Sequence, residues 1–256
     1  MENSIKVVSI VGPTASGKTK LSVELAKHFN GEIVSADSMQ IYSGMQIATA
    51  KPTKAEMDGV PHHMMGFLPP DKTYSVASYV NDASKCIADI HSRGMLPFIV
   101  GGTGLYVDSL LNNISFSDDK RDEEYCLRLR KIGEEDGTDR LLDMLSEFDP
   151  ESAQRLRGGR NIKRIIRAIE FYKTTGKTIT EQIKESHNIP SPYSAVKLGL
   201  NCRDRQVLYD RINRRVDIML DEGLLEEAQR VINSELSYTS VKAIGYKAVS
   251  YTHLTL

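Results

Sequence analysis

The sequence predicts an α/β fold, a parallel sheet flanked by helices and interrupted by a helical insertion, and three observations predict it. The stretch Gly12-Pro13-Thr14-Ala15-Ser16-Gly17-Lys18-Thr19 fits the phosphate-loop pattern G-x-x-x-x-G-K-[ST] at every fixed position. On either side of it, short β-branched runs alternate with apolar residues at helical spacing, the pattern of a doubly wound sheet. Between about Asp118 and Pro192 the strand signals stop and helical periodicity alone remains. The main body is therefore P-loop NTPase-like, built from residues 1–117 and 193–256, with residues 118–192 as a helical insertion domain.

Each element has its own warrant. Ile5-Lys6-Val7-Val8-Ser9-Ile10-Val11 reads as a buried strand, and after the loop Leu21, Leu25 and Ala26 recur at helical spacing. Gly31 stops that helix, and Glu32–Ala36 forms a second strand running into Asp37-Ser38-Met39-Gln40. A loop rich in Pro, Gly and Lys reaches through Lys51-Pro52 to Pro61-His62-His63, with both histidines in the loop. From Ser75, Val76, Val80, Ala83, Ile87 and Ile90 mark an amphipathic helix that Gly94 ends. Pro97–Val100 is a strand running into Gly101-Gly102-Thr103-Gly104. In the insertion, Leu141, Leu142 and Leu145, then Ile162, Ile165, Ile166 and Ile169, carry the helical spacing. Ser186–Pro192 is a hinge, Ala195–Leu200 a returning strand, and Val207–Ile232 a long helix with a break at Gly223.

Composition narrows the function. With 40% hydrophobic and 26% charged residues the chain is an ordinary globular protein, and a net charge of −1 excludes a diffuse polycation. Contact with nucleic acid must then come from a local patch. Arg155–Arg167 supplies one: it holds no acidic residue, and its isoleucines can face a core while Arg160, Lys163, Arg164 and Arg167 face outward. A plain solvated helix surface is the alternative. Cys86, Cys126 and Cys202 are odd in number and widely spaced, which fits a reduced, cytoplasmic setting without disulfides or zinc. The early Glu2 and the direct run into the phosphate loop do not form a signal peptide, and no apolar stretch approaches the ~20 residues of a membrane span.

The loop dictates phosphate chemistry. Its successive N–H groups and the positive helix end cradle an anion, Lys18 adds a mobile charge, and the Thr19 hydroxyl can ligate a phosphate-bound Mg²⁺. Motor ATPases and GTPases end a later strand in a Mg²⁺-holding aspartate, whereas this chain has Val100-Gly101-Gly102 there. The strand-end carboxylate is Asp37, suited to a general base facing a nucleophile or, equally, to capping the segment that follows. Arg211 and Arg215 lie four apart on one helical face; Asp210 and Asp217 could pair with them on a solvated surface instead.

Taken in order, GPTASGKT at Gly12–Thr19, ADSMQIY at Ala36–Tyr42, GMQIATAKP at Gly44–Pro52, His62-His63 and GGTGLY at Gly101–Tyr106 resemble the tRNA dimethylallyltransferases (tRNA isopentenyltransferases). KRIIRAIE at Lys163–Glu170, LYDRINRRV at Leu208–Val216 and AIGYK at Ala243–Lys247 extend the resemblance over nearly the whole chain. It implies transfer of a dimethylallyl group from dimethylallyl diphosphate to N6 of the adenosine 3′ of the anticodon in tRNA. Gly12, Pro13, Thr14, Ala15, Ser16, Gly17, Lys18 and Thr19, with Arg211 and Arg215, would bind the diphosphate. Lys18, Thr19 with Mg²⁺, and Asp37 as acceptor of the N6 proton would be catalytic. Asp37, Ser38, Met39 and Gln40 would grip the extruded base, and Thr103 would touch tRNA beside it. The resemblance also implies a monomer without an obligate protein partner. Relatives carry an arginine early in the insertion where this chain has Cys126, with Arg128 or Arg130 as substitutes. They also continue past AIGYK with a basic helical segment that Val249–Leu256 does not match, so a truncated C-terminal end is expected. A small-metabolite or nucleoside kinase is the alternative enzyme, and a non-catalytic nucleotide- or RNA-binding module the third reading.

Overall fold

The computed structural model describes residues 4–114 and 122–237, with 239, 240, 243, 246 and 249, and gives 187 and 188 as backbone alone. Two units emerge, Met1–Leu111 with Ser191–Leu256, and Asn112–Pro190. The expected switch at residue 118 and nearly all of the tail Val249–Leu256 lie outside the described residues.

In the first unit β1 (Ile5–Val11), α1 (Lys18–His28) and β2 (Gly31–Ser35) follow the predicted strand, loop, helix, strand order. Next come α2 (Lys54–Met57), β3 (His62–His63), α3 (Val76–Ser92), β4 (Leu96–Gly101) and α4 (Gly104–Leu111). The sheet is parallel in the order β3-β2-β4-β1-β5, where β5 (Tyr193–Gly199) is the returning strand. Strand residues alternate between two cores. Val7, Val34 and Ile99 join Tyr79, Ile87, Val107 and Leu110 of α3 and α4 on one face. Ile10, Ile33, Phe98 and Val100 join Val23 and Ala26 of α1 on the other. Burial on both faces is why these strands read as near-continuous apolar runs.

The histidine pair corrects the sequence reading. His62 and His63 form a short strand, in register with Ile33 and Val34, rather than loop. A two-residue strand leaves no periodicity to detect. His63 is fixed by Glu32, a β2 carboxylate only 4% exposed, at 2.6 Å from Nε2. Arg93, just past α3, donates to both Glu32 oxygens at 2.6 and 2.7 Å. The Arg93 hydrogen bonds, aided by His63 and opposed by burial, hold the Glu32 carboxyl at about 2, below its ordinary 4.5. A carboxyl depressed on folding stabilises fully above its unfolded value and loses that contribution as pH falls through the folded one. The chain should therefore lose roughly 3 kcal/mol between about pH 5 and pH 2 from this residue alone. Urea unfolding across that range checks it, and Glu32→Gln should flatten the acid limb.

The second unit is helical: α5 (Glu123–Glu135), α6 (Thr138–Ser146), α7 (Pro150–Arg157), α8 (Ile162–Thr175) and α9 (Ile179–Asn188). Leu141, Leu142, Leu145, Ile165, Ile166 and Ile169 meet in its core, with Cys126 fully buried among them. Cys126 is thus a packing residue. Back in the first unit, α10 (Arg205–Asp221) and α11 (Leu224–Ile232) are separated at Gly223, whose φ of +95° breaks the long helix.

Candidate active site

A cavity of about 410 Å³ opens where β1, β2 and β4 end. Its floor is the phosphate loop. Gly17, at the N-cap of α1, has φ +91°, a left-handed conformation that a side chain would strain, and Ala15 sits at +62°. Turning the chain this way presents Thr14 to Lys20 to the cavity. The Ser16 hydroxyl is buried without a hydrogen-bond partner among the described residues, an arrangement that suits a bound anion. Lys18 Nζ donates to the carbonyls of Gly12 and Pro13 at 2.9 and 2.7 Å. Burial pulls its pKa below the ordinary lysine value; nearby Asp37 pulls it back and Arg215 adds to the fall. Lys18, Asp37 and Arg215 therefore act on one another within one cavity.

Asp37 follows β2 and faces Lys18. Its Oδ1 accepts from the Met39 and Gln40 amides at 2.9 and 3.3 Å, so it does cap the turn after the strand. Capping occupies one oxygen, and Oδ2 has no hydrogen bond among the described residues. Both sequence readings of Asp37 are compatible with this geometry. The ends of β2 and β4 approach so closely that a Cβ built on Gly101 would lie 2.1 Å from the Ala36 carbonyl oxygen. The Thr103 amide donates to that same oxygen, and Thr103 Oγ1 accepts from the Ser38 amide at 3.0 Å.

The other predicted residues separate by position. Gln40 lines the cavity, its carboxamide taken up by Ser35 Oγ at 3.3 Å and the carbonyls of Thr49 and Ala50 at 3.3 and 3.1 Å. Ser38 and Thr103 bind one another and are not in the lining; Met39 packs against the core cluster that contains Ile41 and Tyr42. Arg215 of α10 enters the cavity, where Nη2 donates to the Ala50 carbonyl at 3.2 Å. Burial lowers its pKa, opposed by Glu56 and Asp37. Arg211, one turn earlier, is exposed to solvent and outside the lining. In the helical unit Arg160 lies 3.6 Å from Asp139 and Arg167 is paired with Glu170. Lys163 and Arg164 are exposed, with no ion pair among the described residues.

Sequence reasoning did not single out Glu56 in the wall, whereas a pocket-lining place for the histidine pair was one of its readings. Glu56 arrives on α2, where Thr53 and Glu56 form a capping box; that T-x-x-E spacing was the available signal. His62 also lines the cavity. Its Nδ1–H donates to the Val60 carbonyl at 2.8 Å, and burial holds its pKa below the ordinary histidine value. No cluster of three His, Cys, Asp or Glu side chains fit for a metal occurs among the described residues.

The profile of a family described as IPP transferase matches residues 40–254, and one described as isopentenyl transferase matches residues 5–65. The chain is 50% identical over 243 residues to the tRNA dimethylallyltransferase of Halalkalibacterium halodurans, covering 94% of this chain and 77% of that protein. The enzyme of the same name from Oceanobacillus iheyensis is 49% identical over 244 residues, or 95% of this chain and 77% of its own. Among solved structures, the full-length tRNA isopentenylpyrophosphate transferase of Bacillus halodurans aligns with a TM-score of 0.66 at 45% identity, over 98% of this chain and 78% of its own. A eukaryotic dimethylallyltransferase acting on tRNA aligns with a TM-score of 0.73 at 32% identity, over 90% of this chain and 56% of that one.

Proposed function

Because the chain belongs to the IPP transferase family, whose members are tRNA dimethylallyltransferases, we propose that it transfers a dimethylallyl group from dimethylallyl diphosphate to N6 of the adenosine 3′ of the anticodon in tRNA, releasing diphosphate. The observation that carries this reading is the meeting of Lys18, Arg215 and Asp37 in one cavity: two cations for a leaving diphosphate and a carboxylate facing them for an acceptor.

The N6 lone pair attacks the allylic carbon while its bond to the diphosphate oxygen breaks. Negative charge collects on the departing group, where Lys18, Arg215 and the loop amides from Thr14 to Thr19 are preorganised to receive it. Asp37 takes the N6 proton through Oδ2, leaving Oδ1 on the Met39 and Gln40 amides. An aromatic amine is a weak nucleophile, so alignment of the extruded base contributes as much as proton removal. The Thr19 hydroxyl lines the cavity and is an oxygen donor of the kind a hard cation takes. Thr19 would hold Mg²⁺, which would neutralise charge on the diphosphate. A kinase is disfavoured because β4 ends in Val100-Gly101 without a metal-holding carboxylate.

Exposed Lys163 and Arg164 at the start of α8 support the helical unit as the tRNA-binding domain, with Arg160 and Arg167 beside them. Replacing Lys163 and Arg164 by alanine should weaken tRNA binding and lower the slope of log K against log salt by roughly 0.7–0.9 per lost contact. An unchanged slope in a salt titration assigns the patch to plain surface. No described helix is long and apolar enough to cross a membrane. Mass analysis of nucleosides from an adenosine-rich anticodon stem-loop, incubated with dimethylallyl diphosphate and the purified chain, tests the whole reading. Prenyl-adenosine is expected; its absence, with consumption of ATP supplied in a parallel incubation, would favour the kinase.

A further inference from the structure

Glu227 on α11 is a carboxylate only 3% exposed. Its Oε2 accepts from the Gln46 and Ile47 amides at 2.9 and 3.0 Å, and its Oε1 from the Ile47 and Ala48 amides at 2.9 and 3.0 Å. The Tyr246 hydroxyl donates to Oε1 at 2.8 Å. These donors are all neutral. Burial works against the charge, yet the Ala48 and Ile47 amides, the Tyr246 hydroxyl and the Gln46 amide together hold the carboxyl below its ordinary range.

The three amides open a turn. Thr49 Oγ1 donates to the Met45 carbonyl at 2.7 Å, the Ala50 amide to Ile47 at 2.8 Å and the Lys51 amide to Gln46 at 3.1 Å. The first amides of such a turn lack partners within it, and Glu227 caps them from a distant part of the chain. At its far end the same turn presents the Thr49 and Ala50 carbonyls that hold Gln40, and the Ala50 carbonyl that holds Arg215. One buried carboxylate is thus linked, through five residues of backbone, to the guanidinium in the cavity.

We propose that Glu227, with Tyr246, is a positioning residue for the diphosphate site: it locks the 46–50 turn so that the Ala50 carbonyl aims Arg215 into the cavity. The inference rests on the diphosphate reading of that cavity. A carboxylate is needed because both oxygens are used by N–H donors. A carboxamide keeps one acceptor and turns its own N–H₂ toward backbone N–H groups, which repels the turn it should cap.

Binding of inorganic pyrophosphate with Mg²⁺ to the full chain, read by calorimetry, tests this without relying on turnover. Glu227→Gln should weaken pyrophosphate binding about tenfold, and in an Arg215→Ala background it should cost nothing further, because both changes remove the same contact. If Glu227→Gln fails to fold, Tyr246→Phe gives the same reading, with a loss of about threefold that also vanishes in the Arg215→Ala background. Normal affinity in the single variants, or losses that add to that of Arg215→Ala, would overturn the inference alone. Failure of the unaltered chain to bind pyrophosphate would overturn the diphosphate reading and this inference with it.

Discussion

Asp37→Asn is expected to slow prenyl transfer by about 10²–10⁴-fold while leaving tRNA binding largely intact. The choice of asparagine follows from the two jobs of this side chain. Oδ1 caps the turn by accepting from the Met39 and Gln40 amides, and asparagine caps about as well as aspartate. What asparagine cannot do is take a proton. Asp37→Ala would remove both functions and add about 1 kcal/mol of lost cap to the kinetic loss. Single-turnover rates on an anticodon stem-loop, read beside thermal unfolding and filter binding, separate the two. Equal rates for Asp37→Asn and the unaltered chain would remove the carboxylate from the proton transfer, and a loss confined to Asp37→Ala would leave it only the cap.

Lys18→Ala should cost about 10²–10³-fold in kcat, the usual consequence of removing one preorganised group from a developing anion. Its effect should appear in the chemical step more than in tRNA affinity, since Lys18 sits at the loop end of the cavity with Arg215 and Asp37 as electrostatic neighbours. Lys18 also ties the loop to itself through the Gly12 and Pro13 carbonyls. Lys18→Arg is therefore not a gentle change, because a planar fork cannot reproduce a point charge turned back on two carbonyls. Unchanged kcat in Lys18→Ala, with intact unfolding behaviour, would move the diphosphate elsewhere.

What could be read beforehand divides along physical lines. The phosphate loop, the strand before it and the helix after it were legible because their chemistry is local, and Asp37 stood out as a lone acidic residue at a strand end. Helical spacing marked Leu141, Leu142 and Leu145 as core, and they are core. Contacts between distant segments left no local trace. Glu32 reads as an ordinary strand residue until Arg93 and His63 close on it. Arg211 and Arg215 are indistinguishable in sequence, and only the register of α10 against the Ala50 carbonyl selects Arg215. The strand formed by His62 and His63 was hidden by its shortness, and α2 could have been found from its capping box.

The strand order has a consequence for how this pocket can change. The loop after β1 and the carboxylate after β2 are held apart by one intervening strand, β4, so two interstrand spacings, about 10 Å, separate them at their roots. That ruler is made of backbone hydrogen bonds, which side-chain substitution does not lengthen. Gly101 ends the intervening strand, and the tight approach to Ala36 keeps even a methyl group out of the gap. A bulkier allylic donor could be admitted by reshaping the walls at Met65 or His62, which line the same space, but not by moving anion grip and base further from each other.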